Sequence, residues 1–441
     1  MAVFCFLRVA AQNKLPQSIV QNNLIEAVTL MNGGEVKYAL AILDELRDKG
    51  DADDAVLYYS GVCKFALGDV DGCIQDFNAA VVLDPGNLWY REALASAYST
   101  KGDNDTAAAI YAYLIEKSPQ NYSSAYALTL LGDRAAGAQN DSLAADYYGK
   151  ALLYDPDYGA AQYGMSEIYR RSSRFNEFFE IINSFIRNYG ISTKVKVSYM
   201  RELFALVDPD FYSIWHSKLD SMVVGSLEVE PADSSALRFA GDWFYSTGRK
   251  EQGREYYDKW LKEHPRSFDA NFTSLQFALQ ENDMQKVLSI AGDCETLAGG
   301  DKSRLVNVYG VMGDAKHSLG NTKGAFRDYE KALKLDPENL WILNNYAYYL
   351  SLEKRNLAKA EKMSRFTVEK QPESATYLDT LGWILHLRGK NSEAKPYFRS
   401  AMAKGGRDSA EILGHYAEVL EALGETIEAE SYRQLAKIKA K

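Results

Sequence analysis

Small and aromatic residues recur along this chain in a fixed order, and each series runs about 34 residues before a proline closes it. In 306–339 the series is Gly313, Gly320, Ala325, Tyr329, Ala332 and Pro337; in 54–87 it is Gly61, Gly68, Phe77, Ala80 and Pro85. Residues 125–158 give Gly132, Ala144, Tyr148, Ala151 and Pro156, and 88–121 give Tyr98, Gly102, Ala107, Tyr111 and Pro119. The pattern continues in 234–267 and 340–374 and, without the closing proline, in 375–409 and 410–441, with weaker copies in 20–53, 159–192 and 268–305. This spacing predicts paired antiparallel helices. Gly132 and Ala144 stand where two helices approach closely, and Gly68, Gly102, Gly248, Gly320, Gly389 and Gly424 end first helices, where positive φ is useful. The prolines follow second helices, which they cannot extend. Long β-branched runs are missing, in keeping with helix throughout.

Residues 193–233 lack the small-residue signature. Asp208-Pro209 reads as a capped helix start, and Phe211, Tyr212, Trp215, Leu219, Met222 and Val223 then recur at helical spacing. The expectation is a degenerate hairpin, placed either at a bend or at an interface between two arrays.

The series resembles the tetratricopeptide repeat, with its ordered glycine, tyrosine, alanine, phenylalanine and proline positions. The resemblance covers nearly the whole chain and implies an all-α fold, an α-solenoid winding as a right-handed superhelix of about twelve hairpins. The expected organisation is an N-terminal segment at 1–19, arrays at 20–192 and 234–441, and the connector at 193–233.

Composition narrows the function. A net charge of −10 argues against generic nucleic-acid binding, which needs a basic surface. Cys5, Cys63, Cys73 and Cys294 form neither a disulfide framework nor a metal motif, and Cys63 and Cys73 read as small buried residues. No apolar stretch reaches the length of a membrane-spanning helix. The opening MAVFCFLRVAAQ ends on small residues like the tail of a secretory signal, yet Arg8 interrupts it and no basic region precedes it. The compartment stays open between cell envelope and cytoplasm.

Catalytic and cofactor motifs are not found. His216, His264, His317, His386 and His415 show no ligand spacing, and AGGDKSR at 298–304 lacks the glycine spacing and Gly-Lys pair of a phosphate loop. No cofactor is expected. The resemblance implies that first helices line a concave groove. Carried onto this chain, it places Tyr58, Phe65, Trp89 and Glu92 in the N-terminal groove and Tyr163, Glu167, Arg170 and Arg171 in the middle. In the C-terminal groove it places Asp314, His317, Trp341, Asn344, Tyr348, Asp379, Trp383 and His386. Family members that clamp a peptide's terminal carboxylate use lysine, arginine and asparagine; here only Asn344 fits, and Asp314 and Asp379 would repel a carboxylate. Tyr348 and Trp383 fit either ligand contact or repeat packing, and Trp89 and Trp341 are expected to wedge neighbouring repeats together. A basic stretch containing Arg170, Arg171 and Arg174 is a second candidate surface, although the acids of 202–233 can neutralise it. The expected role is a non-catalytic scaffold or adaptor that holds protein or peptide partners, with self-association left open. The alternative is a cell-envelope assembly or chaperone-like factor capturing exported clients. An enzyme or nucleotide-dependent regulator ranks last.

Overall fold

A computed structural model describes residues 15–440. Cys5 and most of the expected N-terminal segment lie outside the described residues. The chain divides into two compact units, one ending at Ala236 and the other beginning at Leu237. No strand occurs among the described residues.

The first unit is a stack of helix pairs: α1 (Gln17–Asn32) with α2 (Val36–Asp48), α3 (Asp54–Ala66) with α4 (Val70–Leu83), and α5 (Leu88–Lys101) with α6 (Asn104–Lys117). A single turn, α7 (Pro119–Tyr122), precedes α8 (Ala125–Gly137) with α9 (Asp141–Tyr154), and α10 (Gly159–Arg171) with α11 (Phe175–Arg187) follows. Residues 193–233, expected as a connector, form α12 (Thr193–Phe204) and α13 (Pro209–Val229) within the first unit. Asp208 caps α13 by accepting the Phe211 amide at 2.7 Å. From α13, Phe211 and Trp215 pack on Phe175 and Phe179 of α11, with centroids 5.0–5.9 Å apart for three of the ring pairs. This aromatic face replaces the missing small-residue contact.

The second unit begins within α14 (Ser234–Ser246), which pairs with α15 (Lys250–Glu263); α16 (Phe268–Gln280) pairs with α17 (Met284–Leu297), and α18 (Lys302–Ser318) with α19 (Thr322–Leu335). It ends with α20 (Leu340–Leu352) and α21 (Leu357–Lys370), α22 (Ala375–Leu387) and α23 (Asn391–Ala403), and α24 (Ala410–Ala422) and α25 (Thr426–Lys439). Twelve pairs are therefore described, and each unit is an α-solenoid in which first helices lie beside first helices, as α18, α20, α22 and α24 do.

One contact repeats through both units. Gly61, Gly132, Gly241, Gly313 and Gly382 each face the ring of the residue 16 positions later: Phe77, Tyr148, Tyr257, Tyr329 and Phe398. A Cβ on any of these glycines would lie 2.5–2.6 Å from the ring, so only glycine lets the first helix approach so closely. The next residue follows the ring's chemistry. Where the ring is tyrosine, aspartate follows the glycine and accepts the phenol: Tyr148 donates to Asp133 at 2.7 Å, Tyr257 to Asp242 at 2.6 Å, and Tyr329 to Asp314. Where it is phenylalanine, Val62 or Trp383 stands instead. A buried hydroxyl thus never goes unpaired in this set.

Pro85, Pro119, Pro156, Pro265, Pro337 and Pro372 each fall two residues beyond the end of a second helix. At Gly320 and Gly389, φ is +79° and +74°, which ends α18 and α22 cleanly. Cys63, Cys73 and Cys294 are buried free thiols.

Candidate functional site

Three first helices of the second unit start the same way. Asn339, Ser374 and Ser409 cap α20, α22 and α24, accepting the amides of Ile342, Tyr377 and Ile412 at 3.2–3.3 Å. These shared starts set a common register, so Asn344 and Tyr348 on α20 match Asp379 and Trp383 on α22, one turn apart in each helix.

The structure brings Tyr348, Asp379 and Trp383 together through two residues of α24. His415 stacks on Trp383, with centroids 4.1 Å apart and planes 16° from parallel, and its Nδ1 lies 3.0 Å from Asp379 Oδ1. Tyr348 donates its hydroxyl to Glu411, reaching from α20 to α24 past α22. Asp379 is only 5% exposed, and burial raises its carboxyl above the usual aspartate value while His415 opposes the shift. Burial likewise raises the Tyr348 phenol, with Glu411 adding to it. His386 stacks on Trp383 at 5.2 Å, and its Nδ1 meets Asn391 Oδ1 at 2.8 Å. Two polar atoms here are buried with no hydrogen-bond partner among the described residues, Asn344 Oδ1 and Trp383 Nε1.

Asp314 and His317, one pair of helices earlier, form a separate cluster. Asp314 accepts from Tyr329 and from Asn345 Nδ2 at 3.2 Å; burial raises its carboxyl and these bonds hold it back. His317 stacks on Tyr349 at 3.9 Å, and burial lowers its imidazole below the ordinary value. Asp314 is engaged within the repeat contacts, whereas His317 Nε2 is buried without a hydrogen-bond partner among the described residues and lies 3.7 Å from Glu353 Oε1.

The three arginines of the basic stretch are individually matched. Arg170 pairs with Glu167 at 2.6 Å, Arg171 with Asp141 at 2.8 Å, and Arg174 with Glu177 at 2.8 Å. The expected neutralisation by 202–233 occurs at Arg187, which meets Glu228 at 2.7 Å. Glu167 also accepts from Tyr199, which sits edge-on to Tyr163.

The two wedge tryptophans differ. Trp341 lies against Gly310, where a Cβ would come within 2.4 Å of its ring. Tyr58 holds the position equivalent to Gly310 and stacks on Tyr90 at 4.8 Å, and Trp89 is 71% exposed. Trp89 therefore does not wedge its repeats, because a tyrosine takes the space that glycine leaves open elsewhere.

His415 and Glu411 were not among the residues expected here. Glu411 holds the groove position that Trp341 holds on α20, and His415 lies one residue beyond the position of Asn344 and Asp379: His415 and Asn345 hold the same place in their helices, and both reach back to an aspartate of the preceding first helix.

No helix of the described residues is long and apolar enough to cross a membrane. None of the curated proteins compared with the chain matches it. A tetratricopeptide repeat family model matches residues 307–440, the stretch that contains α20, α22 and α24. Residues 307–440 therefore form a tetratricopeptide-type repeat array, and the same helix pairing and glycine–ring contact recur through the described residues of both units.

Proposed function

We propose that this protein is a non-catalytic scaffold or adaptor, and that the face of α20, α22 and α24 holds a segment of a partner protein. Repeats of this type generally mediate protein–protein interaction. The observation that carries the reading is the pairing of two large rings, Tyr348 and Trp383, with an unsatisfied acceptor and an unsatisfied donor, Asn344 Oδ1 and Trp383 Nε1–H. Buried polar atoms without partners are uncommon, and an extended peptide backbone offers both an N–H and a C=O. Tryptophan and tyrosine also dominate binding hot spots. Trp383 packs partly on the core between α22 and α24, so its two roles have to be separated by experiment.

The test is the double substitution Tyr348→Ala with Trp383→Ala, followed by circular dichroism, melting and partner recovery. Loss of a recovered partner with helicity and melting retained supports the site. Collapse of the fold assigns both rings to packing, and full recovery with full stability places the site elsewhere.

A further inference from the structure

We infer that the segment held on this face carries lysine or arginine beside an apolar residue, an inference that rests on the interaction role proposed above. Charge in this part of the second unit is sorted by helix row. The first helices α20, α22 and α24 contain Asp379, Glu411, Glu418 and Glu421 and not one lysine or arginine. The second helices α19, α21, α23 and α25 each contain more basic than acidic residues.

In the second-helix row the buried carboxylates, Asp328 and Glu361, are matched by cations. Asp328 is matched by Lys316 and by Lys331 at 3.4 Å, and Glu361 by Arg365, Arg388 and Lys390. On the first-helix face Asp379 meets only His415, and the exposed Glu411 and Glu418 have no lysine or arginine partner. Glu411 accepts only the neutral Tyr348 hydroxyl, and the nearest basic atom to Glu418 is His386 Nε2 at 3.9 Å. Glu421 is already paired with Arg433 and lies outside the argument.

An independent observation points the same way. Asn344, on the same face one turn from Tyr348, is 4% exposed, and its Oδ1 has no donor. Uncompensated carboxylates, an orphan acceptor and two ring faces all favour a cationic, donor-rich group. The apolar flank of Trp383 suits the neighbouring aliphatic side chain. An acidic segment would meet like charge at Glu411 and Glu418 with nothing to offset it.

The experiment titrates the full chain by calorimetry with a short, end-capped peptide of alternating lysine and leucine, and with its glutamate–leucine counterpart. Glu411→Gln/Glu418→Gln removes the charge from this face. Glu251→Gln/Glu255→Gln removes the same charge from exposed positions on α15 and controls for the chain's general acidity. The expected result is binding of the lysine peptide alone, weakened about tenfold or more by the first variant and unchanged in the second. Equal weakening in both variants, no weakening in the first, or no binding of the lysine peptide overturns the inference. If the lysine peptide fails while Tyr348→Ala/Trp383→Ala still abolishes partner recovery, the interaction site stands and only its charge preference falls.

Discussion

Trp383 and His415 are stacked face to face across two adjacent first helices, 4.1 Å between ring centroids, and the same imidazole bonds the buried carboxyl of Asp379. One side chain of α24 therefore fixes both the ring and the acid that α22 presents. His415→Ala removes the stack and strands Asp379, which should cost about 1–3 kcal/mol. His415→Phe keeps a ring for the stack but not the hydrogen bond, and should fall between the two. Urea midpoints of the three proteins check the order.

The glycine–ring contact makes an opposed pair of predictions in two adjacent repeats. Gly382→Ala drives a methyl into the buried Phe398 ring, and Ala394→Leu overfills the same interface; each should destabilise by about 1–3 kcal/mol. Gly414 is also helical but has nothing within 4 Å of its would-be Cβ. Gly414→Ala should therefore stabilise by about 0.5–1 kcal/mol through helix propensity. Denaturation midpoints moving in the same direction for Gly382→Ala and Gly414→Ala would refute the packing argument.

The tyrosine–aspartate pairing predicts coupling between Tyr329 and Asp314. Tyr329→Phe leaves Asp314 short of its phenol donor and should cost about 1–3 kcal/mol. Asp314→Val resembles the arrangement at Val62 and Phe77, so Tyr329→Phe should cost much less in that background. A double-mutant cycle in urea measures the coupling, and strict additivity would contradict it.

His317 gives a pH dependence of defined sign. Burial holds its folded pKa below the ordinary value of 6.5, so the unfolded chain binds more protons in that window. Stability from this site is complete above the ordinary histidine value and is lost as pH falls through it towards the depressed folded value. The wild-type chain should lose stability relative to His317→Gln between about pH 7.5 and pH 5.5. Melting of both proteins across that range checks it, and a constant difference would show that His317 does not titrate differently on folding.

The architecture was legible because its defining contact is local and periodic: Gly313 and Tyr329 sit in one hairpin and recur as Gly382 and Phe398. The connector's helix start was legible for a similar reason, since Asp208 caps within its own turn. The site was legible only in part. Asn344, Tyr348, Asp379 and Trp383 follow from repeat register; Glu411 shares the register of Trp341 and His415 that of Asn345, but their contacts act across 63 and 36 residues through stacked helices, which repeat register alone does not reveal. The arginine stretch at Arg170–Arg174 was expected to be neutralised by the acids of 202–233; instead Arg170 and Arg174 pair with glutamates three residues away, and Arg171 pairs with Asp141, 30 residues away on the preceding pair. Trp89 departs from Trp341 because a single residue, Tyr58 in place of Gly310, fills the slot.

The most direct test of the account asks which helix row touches the partner. A photo-crosslinking residue at Thr376, exposed on α22 along the stripe of Asp379 and Trp383, is compared with one at Lys362, exposed on α21. Irradiation in a lysate of the source cells, with partner capture read by mass, should give a discrete protein adduct from position 376 and none from position 362. Adducts from position 362 alone, or equally from both, would contradict a binding site on the first-helix face.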